Sequence, residues 1–226
     1  MLSIDDFKKI TIPDEFGINE SDDDITYELE YVTSQLKKLH PADHFIWCFG
    51  MSKYVVLLDN LVVKIPFNGT FDYGIEDEET GEYSDEIYFQ PFLHTSDYCS
   101  IEEEIYLKAA EAGLGNFFAA TIKYDNTADG TPYYVSERVT KMYDEDAIVR
   151  RPSRRSQEII NSKKEYKFVG INKTWLACAL DRYGKKAVDA FLSFVKENKI
   201  NDLHADNIGF RDNGDPVLLD YSSYRA

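Results

Sequence analysis

Near the C-terminal end, Asp202-Leu203-His204-Ala205-Asp206-Asn207-Ile208-Gly209 is followed by Val217-Leu218-Leu219-Asp220-Tyr221-Ser222. An Asp is thus followed five residues on by an Asn, and thirteen after that by a second Asp behind an apolar run. Moving a phosphoryl group calls for such a set. One carboxylate orients the attacking hydroxyl, while an amide oxygen and a second carboxylate hold a hard divalent cation on phosphate oxygens. Asp202 lies among Ile200, Leu203 and Ile208, where an unused carboxylate is costly. A plainer reading makes these residues turn formers around a β-hairpin tipped by Asn213-Gly214. It accounts for the Asn-Gly pair but not for the spacing or the apolar run into Asp220. His204 reads as a base or ligand, or as a loop brace bonded to a backbone carbonyl. Asp206 reads as a solvated or structural loop residue.

Three further places could carry charge toward such a site. Lys64 closes the run Val62-Val63-Lys64-Ile65; packed among β-branched neighbours, it needs a carboxylate or phosphate partner. A solvent-facing lysine on an edge strand is the alternative. In the helical pattern from 100 to 112, Glu102, Ile105, Tyr106 and Ala109 share one face, so Glu102 can point inward. Glu103 and Glu104 stay open, as does a merely acidic first turn favoured by the helix dipole. The turn Gly50-Met51-Ser52-Lys53 can bring backbone N–H groups over phosphates, or be an ordinary hairpin.

The elements that must position these residues follow from periodicity. Residues 1–22 are polar and acidic and read as a loosely docked arm. Ile25, Leu29, Val32 and Leu36 recur at helical spacing up to Leu39, with Asp22-Asp23-Asp24 as cap and first-turn charge. Residues 44–67 form three β-rich runs, broken at 50–53 and at Asp59-Asn60, which predicts an antiparallel meander. Residues 72–86 hold eight acidic residues, no basic one and no clear period. The helix over 100–112, with Ala109 and Ala110 inside, stops at Gly113. Strands are expected over 117–123 and 132–139, about a turn at 125–130. An irregular stretch, 140–172, includes Arg150-Arg151-Pro152-Ser153-Arg154-Arg155. Helices at about 173–182 and 185–198 flank Gly184. A loop, a short strand, the turn Asn213-Gly214-Asp215 and a strand over 217–219 complete the chain.

Composition narrows the classes. The chain has 226 residues, 43% of them hydrophobic, enough for a folded protein with a sizeable core. A net charge of −16 argues against nucleic acid and membrane surfaces as partners. Cys48, Cys99 and Cys178 are scattered and odd in number, which suits a reducing cytoplasm. The N-terminus has no signal-peptide pattern, and no apolar run approaches the roughly 20 residues that cross a bilayer.

Taken in order, Gly50, Lys64, a helix with Glu102, then Asp202, Asn207 and Asp220 resemble the protein-kinase-like superfamily over about residues 44–226. Asp-Leu-His-x-x-Asn resembles the aminoglycoside and choline kinase branch. The apolar residue and Gly after Asn207, with Asp220-Tyr221, resemble the small kinase-like proteins of bacteriophages. The resemblance implies an α+β, two-lobed fold: an arm and helix over 1–43, a sheet-rich N-lobe over 44–139, and a truncated helical C-lobe over 140–226. Five strands and one helix make the N-lobe, with an acidic insertion at about 71–99; an Arg-rich insertion falls at about 141–172. Lys64 is implied to contact the α- and β-phosphates of ATP and pair with Glu102, beneath a turn holding Gly50 and Ser52. Glu137 to Val139 becomes the hinge strand whose backbone meets adenine. Asp202 orients the acceptor hydroxyl, and Asn207 and Asp220 hold Mg2+. The implied function moves the γ-phosphate of ATP to a protein Ser/Thr or a small molecule, in the cytoplasm of a host cell. Ile200 and Asn201 stand where His and Arg usually precede the catalytic Asp, and Tyr221 and Ser222 where Phe and Gly follow the metal-binding one. With the single-glycine turn, these departures admit an alternative: an inactive kinase-like protein that binds a host protein.

Overall fold

A computed structural model describes residues 2–18, 27–74, 77, 79–82, 84, 86–92, 97–143, 151–162, 166 and 170–222. The architecture is α+β, as expected, and the chain divides into two units. One comprises Met1–Ser100 with Ile122–Ser136, the other Ile101–Thr121 with Glu137–Ala226. No helix among the described residues is long and apolar enough to cross a membrane.

The first unit is built on a five-stranded sheet of order β1-β2-β3-β7-β6. The expected meander is β1 (Ile46–Phe49), β2 (Lys53–Leu57) and β3 (Leu61–Pro66), antiparallel throughout. A hairpin of β6 (Thr121–Asn126) and β7 (Pro132–Glu137) completes the sheet, β6 starting four residues later than the periodicity suggests. Side chains alternate across a strand. Tyr54, Val56, Val63, Ile65 and Tyr133 therefore point into one apolar core, which α1 (Tyr27–Leu39) closes with Leu29, Val32 and Leu36. The Asp22–Asp24 cap lies outside the described residues.

The N-terminal segment is not loosely docked. Phe7, Ile10 and Phe16 are fully buried in that core. A 3-10 turn over Ile4–Lys9 carries Phe7 onto Tyr133, at 5.7 Å between ring centroids. Ala128 then donates to the Ile10 carbonyl at 2.9 Å, and Ile12 donates to Asp129 Oδ1 at 2.9 Å. Backbone bonds from Asn68 to Phe16 and from Phe71 to Ile18 finish the segment. A Cβ at Gly17 would stand 2.0 Å from the Gly69 carbonyl oxygen, so that crossing needs glycine. The acidic stretch also begins and ends in order: β4 (Gly69–Tyr73) pairs with β5 (Ile87–Pro91) as a separate two-stranded ribbon.

The second unit carries α2 (Tyr98–Glu111) from Ile101 onward, then α3 (Arg154–Ser162), α4 (Lys173–Tyr183) and α5 (Lys185–Glu197). A small sheet, β10-β9-β8, joins β8 (Thr140–Lys141) to the hairpin β9 (Ile208–Phe210) and β10 (Pro216–Leu218). Its core stacks Phe117 on Phe191 at 4.5 Å and sets Trp175 against Phe191 at 5.8 Å. α3 occupies part of the stretch expected to be irregular. Asp181 of α4 holds its start, accepting from Ser153 Oγ and Ser156 Oγ, both at 2.7 Å. The helices on either side of Gly184 match the expectation, and that glycine takes φ +80° between them.

Candidate functional site

The C-terminal hairpin is delivered by the end of α5. Ile200 donates to the Val195 carbonyl at 2.9 Å and Lys199 to the Lys196 carbonyl at 3.2 Å, with Lys199 at φ +54°. This is the bond pair that ends a helix through a left-handed residue, here a lysine rather than the usual glycine. Ile200 and Val195, both buried, pack the stop. The chain is thereby turned into residues 201–204, then a 3-10 turn over Ala205–Asn207, then β9. The Trp175 indole supports β9 by donating to the Gly209 carbonyl at 3.1 Å. Gly209 itself has no room for a side chain, since a Cβ would lie 2.2 Å from the Thr140 carbonyl oxygen of β8. The turn at the tip forms as expected: Gly214, at φ +80°, donates to Arg211, and Arg211 to the Asp215 carbonyl.

This hairpin brings together the base of the strongest sequence motif. Asn207, buried, donates through Nδ2 to the Asp202 carbonyl at 2.9 Å and to Asp202 Oδ2 at 3.1 Å. Its own carbonyl accepts from Leu219 N at 2.9 Å, which places the residue before Asp220 against Asn207. Asp220 is half-buried, and Ser222 Oγ donates to its Oδ1 at 3.3 Å. The hairpin is present, and its base gathers the Asp, the Asn and the approach to the second Asp. With Nδ2 committed to Asp202, Asn207 Oδ1 is the atom left to ligate a cation. The Asn207 amide oxygen and the Asp220 carboxylate are hard oxygens of the kind that suits Mg2+. Among the described residues, no group of three His, Cys, Asp or Glu side chains gathers to hold a metal.

His204 braces the loop in a different way from that expected. Its Nδ1 accepts from Asp206 N at 3.2 Å, capping the 3-10 turn, and no carbonyl is its partner there. Its Nε2 lies 3.4 Å from Asp202 Oδ1.

The charged candidates of the other elements are placed as follows. Lys64 on β3 is 6% exposed, opposite Val55 and on the sheet face away from the Tyr54–Val63 core. Of the three consecutive glutamates, Glu102 is the fully buried one, and Thr121 Oγ1 donates to its Oε2 at 3.2 Å. Glu104 is exposed and pairs with Lys108. On the same helix, Ala109 is buried but Ala110 is exposed, contrary to expectation. Gly50 donates to the Lys53 carbonyl at 3.1 Å in a hairpin turn, with open space where a Cβ would stand. Ser52 is buried, its carbonyl accepting from Phe67 N. Glu137 ends β7. Its N–H donates to Ala120, and its carboxylate takes Arg211 Nε at 2.6 Å and Nη2 at 2.9 Å. That pair lines a cleft of about 340 Å³ with Tyr106, Asn116 and Phe118. Val139 is half-buried in the short link from β7 to β8.

Two residues escaped selection from sequence. Lys53, 3% exposed, shares the Lys64 face because it sits two positions before Val55 on β2. A lysine directly ahead of Tyr54-Val55-Val56-Leu57 was the available signal. Arg211, one residue after β9, holds Glu137 and the segment 116–118, donating to the Asn116 and Phe118 carbonyls at 2.7 and 3.1 Å. Nothing local marked it.

No family model matches the chain, and no curated protein does. Among solved structures, it is similar to WbdD in co-crystals with the kinase inhibitor LY294002. That similarity has 13% identity and a TM-score of 0.34 over 80% of this chain, which spans 32% of that one. It is also similar to APH(2")-IIia in complex with GDP and kanamycin, at 12% identity and a TM-score of 0.33, over 86% of this chain and 72% of that one.

Proposed function

We propose that the protein is a phosphotransferase that moves the γ-phosphate of ATP to a hydroxyl on a protein Ser/Thr or a small molecule. The observation that carries this reading is the triple engagement of Asn207. Its amide binds the carbonyl and carboxylate of Asp202, while its carbonyl takes the N–H beside Asp220. With its nitrogen engaged in this way, the buried amide keeps Oδ1 for a cation, and that oxygen with the Asp220 carboxylate is the donor chemistry that phosphate-bound Mg2+ requires.

In this mechanism Asp202 takes the proton of the acceptor hydroxyl as that oxygen bonds to the γ-phosphorus. The bond from the γ-phosphorus to the bridging oxygen breaks and ADP leaves with the electron pair. Lys64 offsets phosphate charge, with Glu102 as its orienting carboxylate, and the turn at Gly50 and Ser52 covers the phosphates. The backbone from Glu137 to Val139 receives the adenine. Asn207 Oδ1 and the Asp220 carboxylate are the ligands for Mg2+, which when bound neutralises charge on the phosphate oxygens. Positioning and charge neutralisation then supply the acceleration, without a covalent enzyme intermediate.

The test uses Mg-ATP on the whole chain, following ADP release, γ-phosphate incorporation and the thermal shift on nucleotide addition. Asp202→Asn lowers turnover by at least about a hundredfold while the thermal shift persists; Lys64→Ala weakens both. Equal turnover in wild type and both variants removes the proposal. A thermal shift without transfer supports instead a kinase-like binding protein.

A further inference from the structure

Each oxygen of Asp202 has a polar neighbour, and Oδ2 is hydrogen-bonded. Asn207 Nδ2 meets Oδ2 at 3.1 Å, and the His204 ring meets Oδ1 from the other side, with Nε2 at 3.4 Å. The other ring nitrogen decides the tautomer. Nδ1 accepts the Asp206 N–H at 3.2 Å, so in the neutral ring the proton sits on Nε2, the nitrogen nearer Asp202. The Asp206 carboxylate, 3.6 Å from Nδ1, is beyond hydrogen-bond reach. His204 is further fixed by its own carbonyl, which accepts from Asn207 N at 3.1 Å. The Nδ1 bond thus holds the imidazole over the three-residue turn, with Nε2 kept 3.4 Å from Asp202 Oδ1, a polar contact longer than an ordinary hydrogen bond.

We propose that His204 is a positioning residue: it fixes the plane of the Asp202 carboxylate so that one oxygen lies ready for the acceptor hydroxyl. The inference rests on the phosphotransfer reading above. A carboxylate pinned only through Asn207 can rotate about its Cβ–Cγ bond, and misplacement by even 1 Å costs on the order of a hundredfold in rate.

Two substitutions separate positioning from loop structure. An Asn at 204 retains a side-chain oxygen to cap the Asp206 N–H but is too short to reach Asp202. His204→Asn is therefore expected to lower kcat for Mg-ATP turnover by about ten- to a hundredfold. KM for ATP stays within about twofold, and the melting temperature is unchanged. His204→Ala shows the same loss in kcat together with a lower melting temperature. Wild-type kcat in His204→Asn, beside an inactive Asp202→Asn, overturns the role of His204 and leaves phosphotransfer standing. A kcat loss that only tracks thermal stability across the two variants overturns it as well. Absence of ATP turnover in the wild type, or full turnover in Asp202→Asn, removes the phosphotransfer reading and this inference with it.

Discussion

In the sheet unit, Lys64 takes its position from packing. The neighbours of β3 on either side, Val63 and Ile65, are sunk in a core closed by α1 and the N-terminal segment, and strand alternation then sends Lys64 to the opposite face. In the helical unit, Asp202, Asn207 and Asp220 take theirs from hydrogen bonds at the base of a hairpin, where Asp202 and Asp220 are only half-buried. Apolar packing is non-directional and tolerates small shifts, which suits a long, flexible lysine side chain. A carboxylate that must meet one proton needs directional contacts, and those come from neighbouring polar atoms. The sheet unit should therefore be sensitive to lost volume, and the hairpin to small steric or polar changes.

The largest expected effect probes the packing side. Phe7→Ala removes a fully buried ring from the sheet core and its contact with Tyr133. Chemical denaturation should show a loss of about 3–5 kcal/mol. A loss under about 1 kcal/mol makes the N-terminal segment an accessory after all.

A smaller effect is expected on the hairpin side. Gly209→Ala forces a methyl group to within 2.2 Å of the Thr140 carbonyl oxygen, which is backbone and cannot swing away. β8 and β9 must part, at about 1–3 kcal/mol. The bond from Leu219 to the Asn207 carbonyl lies at the base of the same hairpin. The melting temperature and the proposed Asp202-dependent ATP turnover should fall together; unchanged turnover would show that β9 does not set the site.

What could be read in the sequence divides along the same line. The meander β1 to β3 was legible because runs rich in β-branched and aromatic residues are broken by turn residues at 50–53 and 59–60, and α4 and α5 because Gly184 punctuates two helical runs. The N-terminal segment was not, because Phe7, Ile10, Ile12, Phe16 and Ile18 lie on a 3-10 turn and extended chain that impose no single period. α3 was missed for a related reason. Its buried positions, Ser156 and Ile160, are one turn apart, but one of them is polar and is held by Asp181. β4 and β5 were hidden by the acidic residues between them, although their centres carry Phe71 and Phe89 in contact at 5.1 Å. At the site, spacing alone grouped Asp202, Asn207 and Asp220. The turn cap that sets His204 beside Asp202 depends on the 3-10 geometry, and sequence carries no mark of it. Which of Glu102, Glu103 and Glu104 is buried likewise depended on helix phase, and the outward turn of Ala110 shows how little margin that phase leaves.

The smallest effect can break the contrast, because the sheet unit also has a buried polar node. Asp6, 4% exposed, accepts from Ser3 N and Ser3 Oγ at 2.8 Å, Lys9 Nζ at 2.7 Å and His40 Nε2 at 2.9 Å. Burial alone would push its carboxyl up, but the bonds from Lys9, Ser3 and His40 outweigh it and hold the group well below the usual carboxylate range. A depressed folded pKa means stability that is present above the unfolded value of about 4 and lost as pH falls below it. By pH 3 the loss from this group reaches about 1 kcal/mol. Urea unfolding at pH 5 and pH 3 should show that acid limb in the wild type, and a flatter one in Asp6→Asn. Equal slopes in the two proteins would mean that the node contributes nothing, and that packing alone fastens the N-terminal segment to α1.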